Sequence, residues 1–321
     1  ITDPYWLDKL QGYKLTVSKD NFSKTIDITK DVEDITKKVS IKNTSFNVLI
    51  SGMDSYGTIN KTTRNDVNMI ATINPNTNKV LLTSIPRDYY VQLHGKTGYK
   101  DKLTHAGIYG INTVVQTIED LFGIDINYYV RVNFTTVESL VNTIGPIEIY
   151  SDKAMSLDGC KYVVGTNTVN GKCALRFARE RHSYVEGDNH RIKNQQEVIK
   201  GIFNKLSKSA MVVTDYTSIL DSLDGKFATN MDMKDITAFI KYELEDITKY
   251  EILDTQVTGT GSMELTYSYP HQKLYVMFPS EQSVESAKEY INKIEKVIKD
   301  DKLRIKLGKE AKSTAYDFSK E

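Results

Sequence analysis

Of the 42 basic residues in this chain, 34 are lysine and eight are arginine, yet four of the eight arginines fall between Arg176 and Arg191. Guanidinium is a planar fork that meets a carboxylate or phosphate bidentately, whereas an ammonium is a hydrated point charge. A cluster of forks points to an oxyanion ligand. On extended backbone a spacing of two puts Arg179 and Arg181 on one face, while a helix splays them by about 200°. Their convergence therefore predicts a strand or extended loop. Arg191 and Gln195 stand four apart in the first turns of a predicted helix capped by Asp188 or Asn189, so they share a face beside the open N–H groups of its N-terminus. The competing reading pairs these arginines with Glu180, Glu186 and Asp188 as surface ion pairs, each worth little.

A second group lies upstream. Asp54 follows one predicted strand, Arg64 and Asp66 precede the next, and Arg87 and Asp88 end a third. Strand ends are where ligand sites form in α/β sheets. Two carboxylates, Asp54 and Asp66, beside a polyphosphate suit Mg²⁺, which takes one or two acidic ligands plus phosphate oxygens and water. Asp54, between Gly52 and Gly57, also fits a plain turn residue. Lys102 either reaches the same anion or is merely solvated.

Other chemistries find little support. The five histidines show no ligand spacing, no serine sits in a Gly-x-Ser-x-Gly context, and there is neither a Walker A loop nor a dinucleotide fingerprint. Cys160 and Cys173 lack metal-ligand spacing, and fit equally well two reduced thiols or one local disulfide.

The elements that must position these residues are legible from periodicity. Ser45 to Asp54 reads as a buried strand, and Val67 to Ile73 with Val80 to Ile85 as a hairpin around Asn74-Pro75-Asn76-Thr77-Asn78. Gly110 to Phe122 is an amphipathic helix that Gly123 stops. Strand Tyr128 to Asn133, helix Thr135 to Ile144 and strand Pro146 to Ile149 follow, an alternation that builds a layered α/β sheet. Further helices are expected from Asn189 to Lys205, Thr214 to Leu223 and Met233 to Glu245, and strands at Tyr250 to Thr258 and Leu274 to Phe278. Residues 1–45, with an alternating stretch at Gly12 to Val17 and a polar helical one at Ile28 to Val39, read as an N-terminal accessory segment, 46–279 as the main domain and 280–321 as a solvated C-terminal helical tail. The formal net charge is zero, so a broad nucleic-acid footprint is not expected. No apolar run reaches the roughly 18 residues of a membrane span. The opening Ile1-Thr2-Asp3-Pro4 lacks an initiator Met and reads as a cut fragment, with any anchor outside it.

These pieces, in this order, resemble the LytR-CpsA-Psr family of cell-envelope proteins. The resemblance is carried by "NVLISGMDSYG", "TRNDVNMIATINPNTNKVLLTSIPRD", "KLTHAGIYG", "YYVRVNF", "TIGPIEIY", "NGKCALRFARER" and "GDNHRIKNQQ". The N-terminal segment and "YSYPHQKLYVMF" are most similar to its streptococcal capsule-associated branch. The resemblance implies a three-layer α/β/α sandwich with a central mixed sheet and an apolar tunnel for a polyprenyl chain. It implies a membrane-anchored enzyme at the extracellular face, which moves a glycopolymer from an undecaprenyl-pyrophosphate carrier to peptidoglycan through a phosphodiester. A polyprenyl-pyrophosphate phosphatase or a non-catalytic polyprenyl-phosphate-binding regulator are the alternatives. In the family's pattern Asp54 and Asp66 are the Mg²⁺-associated aspartates. Arg64, Arg87, Arg179, Arg181 and Arg191 match the pyrophosphate-binding arginines, with Gln195 alongside; Lys102 matches a basic position of the "KL-x-x-A" motif. Asn65, where the family usually has serine, keeps the flanking charges.

Overall fold

The computed structural model describes residues 14–19, 22–27, 44–59, 62–185, 187–207, 216–232, 236 and 250–296. The expected helical stretches at Ile28 to Val39 and Met233 to Glu245 lie largely or wholly outside them, as does the chain beyond 296. In chain order the strands are β1 (Lys14–Lys19), β2 (Phe22–Asp27), β3 (Phe46–Met53), β4 (Asn65–Asn74), β5 (Lys79–Ile85), β6 (Tyr90–Val91), β7 (Asp101–Lys102), β8 (Tyr128–Val132), β9 (Ile147–Ser151), β10 (Met155–Leu157), β11 (Cys160–Tyr162), β12 (Gly165–Val169), β13 (Phe227–Thr229), β14 (Glu251–Gln256), β15 (Gly259–Thr266) and β16 (Tyr269–Pro279). The helices are α1 (Leu103–Ala106), α2 (Ile111–Phe122), α3 (Phe134–Ile144), α4 (Gly171–Arg179), α5 (Asp188–Ser207), α6 (Tyr216–Ser222) and α7 (Glu281–Lys296).

The central sheet runs β13-β8-β3-β4-β5-β14. β3 is parallel to β8 and β5 to β14, while β4 is antiparallel to both its neighbours and β13 to β8. The sheet is therefore mixed, and its polarity decides where chemistry can sit. The C-terminal ends of β8, β3, β5 and β14 emerge at one edge, together with the starts of β4 and β13. Nearly every residue of β3, β4 and β5 is buried or half-buried, as expected of strands covered on both faces. Leu49, Ile70 and Leu81 pack under α2 and α7; Val48, Met69 and Leu82, on the other face, meet Ile199 and Phe203 of α5. Three layers result, α/β/α. The two crevices at the strand ends that bear on the site are lined mainly by polar side chains, and the expected apolar tunnel is not one of them. The apolar side chains of sheet and helices meet one another as core.

Local signals explain the element ends. Gly123, with φ 62° and its N–H on Glu119 O, closes α2 in the left-handed conformation glycine tolerates. Asn133 and Thr136 form a capping box that starts α3. At Gly52 any Cβ would stand 2.7 Å from Val67 Cβ, so only glycine lets β3 approach β4 there. The register slips between Gly52 and Met53, a bulge immediately before Asp54.

Two differences from the sequence expectations have physical causes, and one open alternative is settled. α7 is no part of a solvated tail, because Val284, Ala287, Ile291 and Ile294 make a buried stripe at three- and four-residue spacing that covers the sheet. The hairpin β15–β16 is longer than the single late strand expected, since Gly259, Gly261 and Ser262 mask the pattern of its first arm. Cys160 and Cys173 are joined, with Cα atoms 5.5 Å apart, and tie β11 to α4.

Candidate functional site

Proline at 86 ends β5, and Arg87 is the first side chain beyond it. Arg87 Nη1 donates to Asp66 Oδ1 at 2.8 Å across the ends of β5 and β4, and its Nε lies 3.7 Å from Asp88 Oδ2. Asp88 Oδ1 accepts from Lys102 Nζ at 2.8 Å. The result is a row of alternating charge, Asp66, Arg87, Asp88, Lys102, with each side chain a quarter exposed or less. Thr104 reinforces it through its N–H on Arg87 O at 2.8 Å and its hydroxyl on Asp66 Oδ1 at 3.4 Å. α5 brings Arg191, Ile192 and Gln195 to the same place. Together with Asp66, Asn68, Ser84 and Arg87 they line a crevice of about 10 Å³, room for about one water. Gly187, not Asp188 or Asn189, precedes the first turn of α5, and its carbonyl accepts from Arg191 N.

The remaining arginines are arranged differently from the expectation. α4 runs through Arg179, driven by the Asn170 cap on Cys173 N and by buried Ala174, Leu175 and Phe177, and the chain turns extended only at Glu180 (φ −71°, ψ 130°). Arg179 and Arg181 are therefore not two neighbours on one strand face. The Arg179 guanidinium lies 4.0 Å over the Phe134 ring, which meets Tyr56 edge-on at 5.1 Å, so Arg179 stands beside the exposed loop that carries Asp54. Arg181 is exposed, with Nε 3.4 Å from His182 Nε2. Arg176 pairs with Asp158. Arg64 donates from Nη2 to Tyr269 Oη at 3.0 Å.

Tyr269 is a residue that sequence reasoning missed, and a buried network fixes it. Fully buried Asp101 accepts from His105 Nδ1 at 2.6 Å and from Ser268 N and Oγ at 2.9 and 2.5 Å. Burial alone raises the Asp101 carboxyl, but the hydrogen bonds from His105 and Ser268 outweigh it and hold the group below the ordinary carboxylate range. Its contribution to stability is thus present above the ordinary carboxylate pKa and is lost as pH falls through the depressed native value. The network pins the start of β16 to the "KDKLTHA" segment, with the Tyr269 ring 5.6 Å from that of His105. Tyr269→Phe is expected to weaken inorganic pyrophosphate binding about threefold to tenfold, the scale of one ordinary hydrogen bond, read by calorimetry.

Among the described residues no three His, Cys, Asp or Glu side chains converge as a metal centre. Mg²⁺ asks for less, since phosphate oxygens and water complete its shell. Asp66 commits Oδ1 to Arg87 and Thr104, and among the described residues its Oδ2 has no partner; Asp54 is exposed on the loop after β3 at the same sheet edge. This donor set fits a cation that arrives with a polyphosphate. Half-buried forks beside it at Arg87 and Arg191, with the Gln195 amide, are donors of the kind that phosphate oxygens accept from, while the crevice they line has room for about one water and not for a whole diphosphate.

The profile of the LytR_cpsA_psr family matches residues 13–291. The chain is 32% identical over 254 residues to the polyisoprenyl-teichoic acid–peptidoglycan teichoic acid transferase TagU of Enterococcus faecalis, which covers 77% of this chain and 82% of that one. It is 34% identical over 231 residues to the TagU of Bacillus subtilis, covering 70% and 72%. Among solved structures it is similar to TagT bound to LIIa-WTA, with a TM-score of 0.64 at 25% identity, covering 83% of this chain and 96% of that chain.

Proposed function

The chain belongs to the LytR-CpsA-Psr family, and from that premise we propose that it moves a glycopolymer from a polyprenyl-pyrophosphate carrier to peptidoglycan through a phosphodiester. The observation that carries the proposal is the convergence of Arg87 and Arg191, from different elements, on one crevice with Asp66 and Gln195. Phosphoryl transfer relies on positioning and charge stabilisation, and preorganised guanidiniums supply both. A sugar hydroxyl of the acceptor attacks the phosphorus that bears the glycan; the bridging P–O bond breaks, polyprenyl phosphate leaves, and the hydroxyl proton passes to the departing phosphate or to solvent. Arg87 and Arg191 hold the non-bridging oxygens as charge moves toward the leaving group. Arg64, on Tyr269, Arg179, on its Phe134 platform, and exposed Arg181 are not among the residues that line this crevice, and their proposed contacts with the pyrophosphate rest on the family resemblance. Lys102 and Arg87 occupy the oxygens of Asp88, an arrangement that orients two cations.

Asp54 and Asp66 would hold Mg²⁺, which when bound supplies neutralising charge to the pyrophosphate. The Cys160–Cys173 disulfide supports an oxidising location, in keeping with work at the outer face of the membrane. Among the described residues no helix is long and apolar enough to cross a membrane.

The test is to supply a polyprenyl-pyrophosphate-linked teichoic or capsular polymer with purified peptidoglycan. The proposal predicts polymer covalently attached to the peptidoglycan with polyprenyl phosphate released. Release without attachment would make the protein a phosphatase; binding without either product would make it a carrier or regulator.

A further inference from the structure

A roomier crevice, of about 250 Å³, lies on the other side of α5. Helical spacing turns Arg191 and Gln195 to one face of α5, toward the arginine crevice, and His190, Lys193, Asn194 and Glu197 to another. The second crevice is bounded by these residues, by Tyr150 and Asp152 at the end of β9, and by Asp254 to Gln256 at the end of the edge strand β14.

Its lining selects against an ion. His190 Nε2 lies 3.4 Å from Asp152, and Lys200 Nζ is 3.0 Å from Glu197 and also bonds Asp254. Burial pulls the Lys200 ammonium down, but the two carboxylates outweigh it and hold the group above its ordinary range, so it stays charged. Glu197 and Asp254 thus share one ammonium and Asp152 faces the His190 ring, so the lining offers a phosphate no cluster of guanidiniums, and among the described residues no three metal-ligating side chains converge here. What remains is hydrogen-bonding capacity in both directions, from the Gln256 amide, the Thr255 hydroxyl, the carboxylates and Lys193 at the rim. Tyr150 stands there 55% exposed, an apolar ring face beside polar groups. Tyr184 stacks on His190 at 3.4 Å and stiffens one wall. Vicinal hydroxyls with an apolar C–H face, the surface of a pyranose, complement this lining.

Position links the two crevices. Gln196 Nε2 donates to Ser84 Oγ at 3.1 Å and to Thr255 O at 3.0 Å. Ser84 lines the arginine crevice and Thr255 the second, so one side chain bridges their walls. We propose that the crevice between β9, α5 and β14 is a saccharide site that seats the acceptor glycan, an N-acetylated amino-sugar strand, next to the pyrophosphate. The proposal rests on the transferase reading above.

The probe is the β-1,4-linked tetrasaccharide of N-acetylglucosamine, titrated into the protein and followed by NMR or calorimetry. Saturable binding is expected with Kd on the order of 1 mM, weakened about tenfold by Tyr150→Ala or Asp152→Ala while the affinity for inorganic pyrophosphate is unchanged. Both side chains are more than half exposed, so neither change threatens the fold. In the transfer assay both variants raise the KM for acceptor with little change in kcat. Absence of saturable binding, or equal affinity in the variants, overturns the site. A protein that binds the tetrasaccharide here yet never transfers polymer keeps the site and refutes the transferase reading. One that transfers with an unaltered acceptor KM in both variants keeps that reading and refutes the site.

Discussion

Arg87→Ala lowers turnover by about 10²- to 10³-fold, the expected cost of removing one preorganised donor from a site where charge develops. The size of the effect follows from what Arg87 does twice over. Its fork faces the crevice shared with Arg191, and its Nη1 holds Asp66 at 2.8 Å. Alanine removes the donor and leaves Asp66 and Asp88 facing each other without the cation between them, so the crevice loses both charge and shape. Arg87→Lys restores the charge but not the planar fork, and recovers only a minor part of the rate. Steady-state kinetics with a labelled donor measure this; a kcat for Arg87→Ala within about threefold of the parent removes Arg87 from the transition state.

Replacing both Cys160 and Cys173 by alanine lowers the free energy of unfolding by about 2–4 kcal/mol, the range expected for a cross-link closing a loop of this size. The bond spans a sequence separation of 13 and joins β11 to α4. The Tyr162 hydroxyl, which donates to Cys173 O at 2.7 Å, and the Tyr162 and Phe177 rings, 5.4 Å apart, back the same junction. Burial, and secondarily the charge of Glu180, push the Tyr162 phenol up to about 12, so it stays a donor throughout the physiological range. Because α4 delivers Arg179, loosening it also costs activity, though less than losing Arg87. Urea unfolding of the variant and of the reduced parent should give the same lowered midpoint; a midpoint indifferent to both would contradict the cross-link.

How far the sequence could be read depended on whether a feature was local. β3, β4 and β5 are mainly apolar stretches bounded by glycine, proline and asparagine turns, and α2 ends at a glycine; such signals lie within a few residues of the structure they specify. Asp66, Arg87 and Asp88 are legible for the same reason, since they stand where strands begin or stop. What failed depended on partners remote in the chain. The stack of Arg179 on Phe134 needs α3 and α4 to be placed first, and the contact of Arg64 with Tyr269 needs the β15–β16 hairpin, whose first arm is glycine-rich and largely outside the deep core. The spacing of Arg179 and Arg181 misled because α4 continues to the first of them. Lys and Glu crowd the outer faces of α7 and give it a solvated look in the sequence, although Val284, Ala287, Ile291 and Ile294 trace a narrow buried stripe.

The central claim, that guanidiniums from β5 and α5 share one diphosphate, is tested most directly by titrating inorganic pyrophosphate and Mg²⁺ into arginine-labelled protein and following the Nε–Hε resonances by NMR. Arg87 and Arg191 should shift together along one saturation curve while Arg176, paired with Asp158, stays still. Separate curves for Arg87 and Arg191, or shifts confined to the exposed Arg181, would mean that the crevice is not where the diphosphate binds.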